Sequence, residues 1–294
     1  MSRHSFAYER PRSLSELWSV LGQNSQGTRF LAGGTDILVK YKRQAVSFNR
    51  LIDLKGIPGL RGIDWDESGR LRIGALTTLN ELKKNPLLTK YIPVLAAAAG
   101  KMAAVQVRNR ATIGGNLCNA APSADLAPPL LALDAAVHLE TEHGHREVAL
   151  TDFFTGPGQT ILAPGEILAW VMVPPLGLGM RVVYLKQGLR QAMDIAVAGV
   201  AVKLEISNGT CTGAAIALGA VAPVPMRAYA AEKLLHGQPV NTNSISRAAE
   251  LAGQEAAPIS DVRAEADYRR QLVAALVHKG LRQCTIEVGE QEGA

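Results

Sequence analysis

The segment Ala111-Thr112-Ile113-Gly114-Gly115-Asn116 places a glycine pair after apolar residues and before a short polar side chain. The upstream segment Leu31-Ala32-Gly33-Gly34-Thr35-Asp36 has the same design. Glycine has no Cβ, so such a backbone can take positive φ and turn successive N–H groups toward one anion. Two segments of this kind predict one extended ligand with a diphosphate. Each segment alone is also typical of an ordinary turn.

Neither glycine segment has the spacing that binds dinucleotides in the Rossmann fold. The pattern G-x-G-x-x-G is missing, and the chain between the segments does not read as a βαβ unit of dinucleotide length. The second segment follows a predicted helix over residues 92–103, so we do not expect its glycines at a strand-to-helix turn. The two segments therefore predict a different kind of phosphate site.

Length, composition and charge indicate an ordinary globular protein. The chain has 294 residues, enough for two or three compact units, with 47% hydrophobic and 19% charged residues. The longest apolar runs, such as 195–202, are too short to span a membrane, and no apolar signal segment follows residues 1–4. We therefore expect a cytoplasmic protein without membrane insertion. The net charge of +5 is spread out, which favours a solvated basic face, or one that meets an acidic partner subunit, over nucleic-acid binding.

Cysteine and histidine positions bear on metal binding. The three cysteines lie far apart and form no C-x-x-C pair, which argues against an iron–sulfur cluster and a disulfide framework in this chain: Cys118, Cys211 and Cys284. Three histidines flank a predicted β-hairpin turn: His138, His143 and His145. The apolar-polar alternation around them favours the hairpin over a metal site. We assign no metal ligand and no catalytic residue to the chain.

The first 58 residues alternate strands and helices. Strands are predicted near 6–12, 29–32 and 49–54, and helices over 14–21 and 37–43. Ser13 and Glu16 have the spacing of a capped helix start, in which Ser13 accepts the Glu16 amide and Glu16 reaches back. This alternation predicts a small mixed sheet.

From residue 61 the pattern changes to β-structure with intervening helices. Strands are predicted at 62–65, 70–74 and 137–140, and helices at 79–84 and 92–103. Residues 122–136 predict a helix opened by prolines, with Asp125 near its N-terminus. The carboxylate of Asp125 either complements the helix dipole or accepts hydrogen bonds from ligand hydroxyls, and its spacing favours neither.

Pro174-Pro175 and the segment 176–179 mark the clearest domain boundary. Beyond them we predict antiparallel strands at 181–186, 196–206 and 211–218, with Asn208-Gly209 as a tight hairpin turn. Helices follow at 228–235, 245–254 and 268–282. The predicted fold class is α+β, with a first domain over 1–175, divided into subdomains of about 1–58 and 59–175, and a C-terminal α+β domain over 179–287.

Five motifs, spread over nearly the whole chain, resemble one known family. The motifs are Ala32-Gly33-Gly34-Thr35-Asp36, Ile73-Gly74-Ala75, Arg108-Asn109-x-Ala-Thr-Ile-Gly-Gly-Asn116, Pro122-x-x-Asp125 and Gly219-Ala-Val-Ala-Pro-x-Pro-x-Arg227. Their combination resembles the flavin-binding middle subunit of the molybdenum hydroxylases, which include xanthine dehydrogenase, carbon monoxide dehydrogenase, nicotinate dehydrogenase and 4-hydroxybenzoyl-CoA reductase. The resemblance implies a two-subdomain FAD-binding domain of the vanillyl-alcohol-oxidase/PCMH type, followed by a C-terminal domain of the CO dehydrogenase flavoprotein type.

The resemblance also implies which residues bind FAD. The two glycine segments match those that hold the FAD diphosphate, mostly through backbone amides, and Leu168 and Lys186 match positions at the flavin end. Without the resemblance, Lys186 reads as a surface lysine at the end of a strand. The implied cofactor-binding set is Leu31, Ala32, Gly33, Gly34, Thr35, Asp36, Ile73, Ala75, Thr112, Ile113, Gly114, Gly115, Asn116, Asp125, Leu168 and Lys186.

The partners follow from the same resemblance. It implies a small subunit with two [2Fe-2S] clusters and a large molybdopterin subunit, assembled as a dimer of heterotrimers, with this chain passing electrons to an external acceptor. Arg190 and Asp194-Ile195-Ala196 fall where xanthine dehydrogenase has its flavin-side loop, but the residues between them differ. The acceptor, whether NAD, ferredoxin, quinone or oxygen, is therefore left open, as are the substrate and the stoichiometry. The sequence lacks the four-cysteine insertion that the middle subunit of 4-hydroxybenzoyl-CoA reductase carries, which favours a hydroxylase or dehydrogenase of the family.

Two other classes of protein are alternatives. A stand-alone FAD-dependent oxidase or reductase of the same fold, like vanillyl-alcohol oxidase or the enolpyruvyl reductase of cell-wall synthesis, needs its own substrate pocket with an acid or base. The C-terminal half of the sequence offers no obvious pocket of that kind. The other alternative is a scaffold that binds no flavin and uses its glycine segments only as turns.

Overall fold

A computed structural model of the chain describes residues 6–22, 26–177, 179–190 and 193–289, with side chains as far as residue 285. Three parts of the sequence-based predictions lie outside these described residues. They are the start of the chain at 1–4, Leu178 at the predicted domain boundary, and Gln191 and Ala192 in the predicted acceptor loop.

The first structural unit is a three-stranded sheet with two helices. Its elements are β1 (Ala7–Glu9), α1 (Leu14–Leu21), β2 (Thr28–Leu31), α2 (Ile37–Lys42) and β3 (Arg50–Asp53), followed by a 3₁₀ turn (Leu54–Gly56). The strand order is β1-β3-β2, and both strand pairs are parallel. The predicted mixed sheet is therefore wrong. Each helix crosses from one strand to the next and returns the chain in the same direction, which pairs the strands in parallel.

The start of α1 follows the predicted capping pattern. The Ser13 hydroxyl accepts a hydrogen bond from the Glu16 N–H at 3.0 Å. The Glu16 carboxylate reaches back to the Arg12 N–H at 2.7 Å. The buried side chains of Leu17, Trp18 and Leu21 then pack this helix against the rest of the protein. The cap thus fixes the first turn of the helix, and the apolar face docks it.

The second unit is an antiparallel five-stranded sheet with helices on one face. Its elements are β4 (Ile63–Trp65), β5 (Leu71–Gly74), α3 (Leu79–Lys84), α4 (Pro86–Tyr91), α5 (Pro93–Lys101), α6 (Val105–Arg108), α7 (Ile113–Cys118), α8 (Ala127–Ala132), β6 (Ala136–Thr141), β7 (Gly144–Ala149), α9 (Leu150–Phe153), β8 (Phe154–Gly156), β9 (Gln159–Thr160) and β10 (Ile167–Val173). The strand order is β4-β5-β10-β6-β7. The predicted hairpin around His143 is confirmed as the β6–β7 turn.

The central strand of this sheet, β10, was not predicted. Its sequence, ILAWVMV, is a continuous apolar run, so it lacks the alternation typical of a half-buried strand. The structure shows the reason for that composition. Leu168 and Val171 face the main core formed with the helices of the second unit, whereas Ile167 and Ala169 pack against α1 and β3 of the first unit. A strand that is buried on both faces needs no polar side.

The C-terminal part is a four-stranded antiparallel sheet with three helices. Its elements are β11 (Arg181–Gln187), β12 (Ala198–Ser207), β13 (Thr210–Gly219), β14 (Met226–Arg227), α10 (Tyr229–Leu235), α11 (Thr242–Glu255) and α12 (Ala266–Gly289). Along β12, Val200 and Val202 face these helices, whereas Ala201 faces the core of the second unit. The sheet therefore lies between two apolar layers, and the predicted α+β class is confirmed. No helix within the described residues is long and apolar enough to cross a membrane.

The motif from Gly219 to Arg227 joins the C-terminal sheet to the second unit. The Ala220 N–H donates to the Pro122 carbonyl at 2.7 Å. The Arg227 guanidinium donates to the Asp134 carboxylate at 2.6 Å and to the Leu131 carbonyl at 3.1 Å. These bonds hold the sheet against residues 122–134, the segment that carries Asp125. The motif thus has a structural role in the docking of the two domains.

Candidate functional site

The two glycine segments are in direct contact. A Cβ atom added to Gly33 would lie 2.1 Å from the carbonyl oxygen of Arg110 and 2.9 Å from Cα of Ala111. Real Cβ atoms do not approach backbone this closely, so only glycine fits at position 33. On the other side of the contact, a Cβ on Gly115 would lie 3.8 Å from Cβ of Ala32. The chain thus brings together two segments that are far apart in sequence.

The second segment is the first turn of helix α7 and not a loop. Thr112 is its N-cap, and its hydroxyl accepts the Gly115 N–H at 3.0 Å. The N–H groups of Ile113, Gly114 and Asn116 donate to the carbonyls of Thr77, Ala75 and Thr112 at 2.9–3.0 Å. In this structure these four backbone amides are thus engaged with protein acceptors, and their contact with a diphosphate stays a prediction. Contact through the Thr112 and Asn116 side chains stays a prediction.

The first segment offers the free amides that the second lacks. Within the described chain, the N–H groups of Gly33, Gly34, Thr35 and Asp36 donate to no protein acceptor. Gly34 adopts a φ of 79°, a conformation that favours glycine and lets the backbone turn sharply into α2. Four consecutive free donors beside a glycine contact suit an anion with several oxygens.

Two unpredicted residues tie the first segment to the end of α7. The Asn119 amide donates to Oδ1 of Asp36 at 3.3 Å and accepts from Nζ of Lys40 at 2.7 Å. Nearby on α7, Oδ1 of Asn116 is buried and has no protein donor among the described residues. A buried acceptor without a partner costs free energy, which a donor on a bound molecule would recover. The residues present therefore fit a polar ligand at this point.

The remaining residues predicted in the first domain lie beneath the glycine contact. Ile73 is fully buried and Leu168 is 4% exposed, and both belong to the apolar core that also holds Ile113. Ala75 accepts the Gly114 N–H, and a Cβ on Gly114 would lie 2.6 Å from Cβ of Ala75. The structure shows these side chains supporting α7. Their contact with a cofactor stays a prediction.

Asp125 and Lys186 form a buried ion pair across the domain boundary. The Lys186 ammonium donates to Oδ2 of Asp125 at 2.7 Å, and the Tyr184 hydroxyl donates to Oδ1 at 2.8 Å. Lys186 and Asp125 side chains are only 10% and 9% exposed, so the interpretation of Lys186 as a surface lysine is wrong. Burial, followed by the charge and hydrogen bond of Asp125, raises the pKa of Tyr184 well above its ordinary value. Tyr184 therefore stays a hydrogen-bond donor.

Lys186 also reaches the turn that follows β11. Its ammonium donates to the carbonyl of Asp194 at 2.8 Å. The Asp194 carboxylate accepts the N–H groups of Arg190 and Ile195 at 2.8 and 3.0 Å. These backbone hydrogen bonds, with that of Arg190 first, lower the pKa of Asp194. The Arg190 side chain is 71% exposed. Asp194 thus holds the backbone of Arg190 and Ile195, while the Arg190 side chain is mostly exposed.

A cavity of about 520 Å³ lies where the first two units meet. One wall is the segment from Lys55 to Gly59, at the end of the parallel sheet. Thr78, Arg110 and Thr112 also line it, and of these Arg110 takes part in the glycine contact. The cavity is large enough for part of a dinucleotide-sized cofactor.

The parallel first sheet and the antiparallel second sheet meet at the two glycine segments, and the C-terminal domain docks on them. This arrangement defines a nucleotide-cofactor-binding protein with two subdomains in its first domain. The family model described as the FAD binding domain in molybdopterin dehydrogenase matches residues 4–176. The model of the CO dehydrogenase flavoprotein C-terminal domain matches residues 183–284. The chain belongs to this family of FAD-binding medium subunits, which confirms the resemblance found in its sequence motifs.

Individual relatives agree over their full length. The chain is 34% identical over 284 residues to a putative xanthine dehydrogenase FAD-binding subunit of Escherichia coli, covering 96% of this chain and 97% of that protein. The solved carbon monoxide dehydrogenase of Hydrogenophaga pseudoflava that lacks the Mo-pyranopterin moiety contains a chain that is 35% identical, with a TM-score of 0.91 and 96% and 98% coverage. Quinoline 2-oxidoreductase of Pseudomonas putida gives 31% identity and a TM-score of 0.88, with 95% and 96% coverage. The chain is thus an FAD-binding subunit of an oxidoreductase of the molybdenum hydroxylase type.

Proposed function

We propose that this chain is the electron exit of its complex. Electrons leave the substrate at a molybdopterin centre in a large subunit, pass through two [2Fe-2S] clusters in a small subunit, and reach an external acceptor through the FAD held here. The complex is a dimer of such heterotrimers. When bound, FAD supplies the exchange between single-electron carriers and an acceptor of electron pairs. Substrate oxidation therefore takes place on another chain.

The observation that carries this proposal is the contact between Gly33 and the backbone of Arg110 and Ala111, with four free amides beside it. A cofactor with a diphosphate needs close backbone approach and several donors in one place. The first glycine segment supplies both. On α7, the Thr112 hydroxyl caps the helix and the buried Oδ1 of Asn116 has no protein donor among the described residues, so this segment adds polar groups.

Within this site we assign the diphosphate to the segment Leu31 to Asp36, together with Thr112 to Asn116. Ile73 and Ala75 form the apolar support beneath them, and Leu168, buried in the same core, is assigned to the flavin end. We further propose that the domains span 1–175 and 179–287, with the division between the two subdomains of the first near residue 58. The cavity between Lys55 and Arg110 lies at that division, which supports placing the cofactor between the two subdomains.

Asp125 and Lys186 belong to the flavin end of the proposed site. The Lys186 side chain is 90% buried, so its charge acts in surroundings of low polarity, where its electric field is stronger than in water. Asp125 and the Asp194 carbonyl hold it in one position. Lys186 thereby offers a fixed positive charge to the electron-rich form of the cofactor, and Tyr184 keeps Asp125 in place.

The test is to purify the chain alone and then with its partner subunits. The isolated chain is expected to retain one FAD and to show no turnover with purine, aldehyde or N-heteroaromatic substrates. Addition of the small and large subunits, with their metal centres loaded, is expected to restore flavin reduction by the substrate of the complex. If the isolated FAD-loaded chain oxidised an organic substrate by itself, the electron-exit proposal would be overturned in favour of a stand-alone oxidase.

A further inference from the structure

A second tyrosine–aspartate–lysine group lies beside the first glycine segment. At the end of the parallel sheet, the Tyr8 hydroxyl donates to Oδ2 of Asp53 at 2.6 Å, and the Lys55 ammonium lies 2.7 Å from Oδ1. Asp53 is 3% exposed and also accepts the Lys55 backbone N–H at 3.0 Å. The same Lys55 ammonium donates to the carbonyl oxygen of Ala32 at 2.9 Å. Ala32 directly precedes the glycine pair.

The bond from Lys55 to Ala32 sets the direction of the first free amide. In a trans peptide the carbonyl and the following N–H point in opposite directions within one plane. The Ala32 carbonyl and the Gly33 N–H belong to one such plane, and no peptide within the described residues is cis. Lys55 therefore holds the Gly33 N–H turned away from its own ammonium. The backbone of Arg110, against which Gly33 packs, fixes the position of the same plane.

Asp53 stays ionised, so the group of Tyr8, Asp53 and Lys55 can act as a rigid support. Burial of Asp53 opposes ionisation, but hydrogen bonds from Lys55 and Tyr8 outweigh it and lower the pKa of the carboxyl. The Lys55 charge is balanced by Asp53 at contact distance. The Lys55 side chain is 28% exposed, against 10% for Lys186, so solvent screens its charge more and its main effect is on backbone orientation, which makes it a positioning residue.

The Asp125 group has the same construction. There Lys186 joins an aspartate, itself held by Tyr184, to the backbone carbonyl of Asp194. In each group one lysine connects a buried carboxylate to a carbonyl in a turn. One group orients the segment assigned to the diphosphate, and the other orients the turn after β11.

We infer that Lys55, held by Asp53 and Tyr8, presets the Gly33 amide for the FAD diphosphate and so contributes to FAD affinity. This inference rests on the proposed function. An amide that is already oriented before binding loses less conformational freedom when the ligand arrives. Without Lys55, the Ala32–Gly33 peptide plane keeps its packing against Arg110 but loses the bond that sets its orientation, and ordering it again weakens binding.

The experiment uses the full chain freed of FAD, and measures FAD affinity by fluorescence quenching and apoprotein stability by thermal unfolding. We expect Lys55→Met to weaken FAD binding about tenfold, the size of the cost of ordering the backbone of one residue again on binding. Lys55→Arg keeps a charged donor and is expected to recover most of the affinity. The matched control is Lys203→Met, because Lys203 also pairs with a carboxylate, that of Asp134, which keeps a second partner in Arg227. We expect it to leave FAD affinity unchanged.

A second variant keeps the test decisive if Lys55→Met does not fold. Tyr8 is 53% exposed, so Tyr8→Phe leaves the core intact while it removes the hydroxyl from Asp53. We expect about threefold weaker FAD binding, because the carboxylate that holds Lys55 is less constrained. Unchanged FAD affinity in Tyr8→Phe and in any folded Lys55→Met, even with lowered apoprotein stability, would overturn the inference. If the wild-type chain bound no FAD, the proposed function itself would fail, so the two failures are distinguishable.

Discussion

Lys186 of the C-terminal sheet lies 2.7 Å from the carboxylate of Asp125, which precedes helix α8 in the first domain. The bond crosses the domain boundary and is almost fully buried. Removal of one partner of such a pair leaves an uncompensated charge in the interior. The C-terminal domain is therefore joined to the first domain by a buried ion pair, and under the proposed function this pair lies at the flavin end of the site.

Replacement of Lys186 should change the flavin potential. In Lys186→Met the fixed positive charge is lost, which disfavours the electron-rich flavin. We expect the midpoint potential to fall by roughly 30 mV, which is about 1.4 kcal/mol for a two-electron couple, with altered reoxidation. Potentiometric titration of the FAD-loaded chain measures it. Lys186→Arg keeps the charge and serves as the control. An unchanged potential and reoxidation rate in Lys186→Met would remove the proposed role.

The Tyr184 hydroxyl needs a glycine on the neighbouring strand. A Cβ on Gly199 would lie 2.9 Å from this hydroxyl, so Gly199→Ala should push the ring away from Asp125. We expect the free energy of unfolding to fall by about 1–3 kcal/mol, from overpacking and the weakened hydrogen bond. Urea titration followed by circular dichroism measures this loss.

The control for Gly199→Ala is Gly213→Ala on strand β13. There the added Cβ would lie 3.0 Å from Oε2 of Glu205, the mobile end of a long side chain, so little stability should be lost. The double variant Gly199→Ala/Tyr184→Phe removes the clashing oxygen. Its stability loss should be smaller than the sum of the two single losses. Strict additivity would show that the clash with Tyr184 is not the cause.

The glycine contact predicts a selective loss of cofactor. Gly33→Ala would place a methyl group 2.1 Å from the Arg110 carbonyl, and the two segments must then separate. We expect the purified variant to lose most of its FAD, measured as the ratio of flavin to protein absorbance. Gly100→Ala, in helix α5, is the control, because a Cβ at this position meets only the side chain of Lys83 from α3. It should keep its FAD and gain up to about 1 kcal/mol in stability. Full FAD retention by Gly33→Ala would contradict the proposed site.

Local sequence patterns predicted the elements whose contacts are local. The hairpin at Asn208-Gly209 has positive φ at both residues and joins β12 to β13 directly, as the turn residues indicated. The parallel first sheet was not predicted, because alternating strands and helices do not state the direction in which strands pair. The strand β10 was missed because burial on both faces removes its alternation.

In the candidate site, the motifs predicted which segments meet but not how their donors are used. The amides of Ile113 and Gly114 are occupied by the carbonyls of Thr77 and Ala75, a pairing that no local pattern contains. Tyr184 carried a signal that was not used. It stands two positions before Lys186 on a strand, so both side chains lie on one face of the sheet. Lys55 and Asp53 carried no such signal, because their role depends on the Ala32 carbonyl in a neighbouring strand end.

Glu166, which directly precedes β10, should make the free energy of unfolding sensitive to acid. The Glu166 carboxylate accepts bonds from the Arg146 guanidinium at 2.7 and 2.8 Å and from the Ala163 N–H at 2.9 Å. The Arg146 hydrogen bonds, opposed by burial, lower the pKa of Glu166 below its ordinary value of 4.5. A carboxyl whose pKa is lower in the folded state stabilises the protein above its unfolded pKa. That contribution is lost as the pH falls from 4.5 through the folded pKa.

Glu166→Gln should therefore cost about 1 kcal/mol at pH 7, a modest value because the Arg146 side chain is 43% exposed. The cost should shrink as the pH falls below 4.5, since the wild type then loses the same interaction. Urea unfolding at pH 7, 5 and 4 measures both stabilities. Glu67→Gln, at an exposed position in the turn between β4 and β5, is the control and should follow the wild type throughout. Parallel wild-type and Glu166→Gln stability curves over this range would show that the Arg146 pair does not set the acid response.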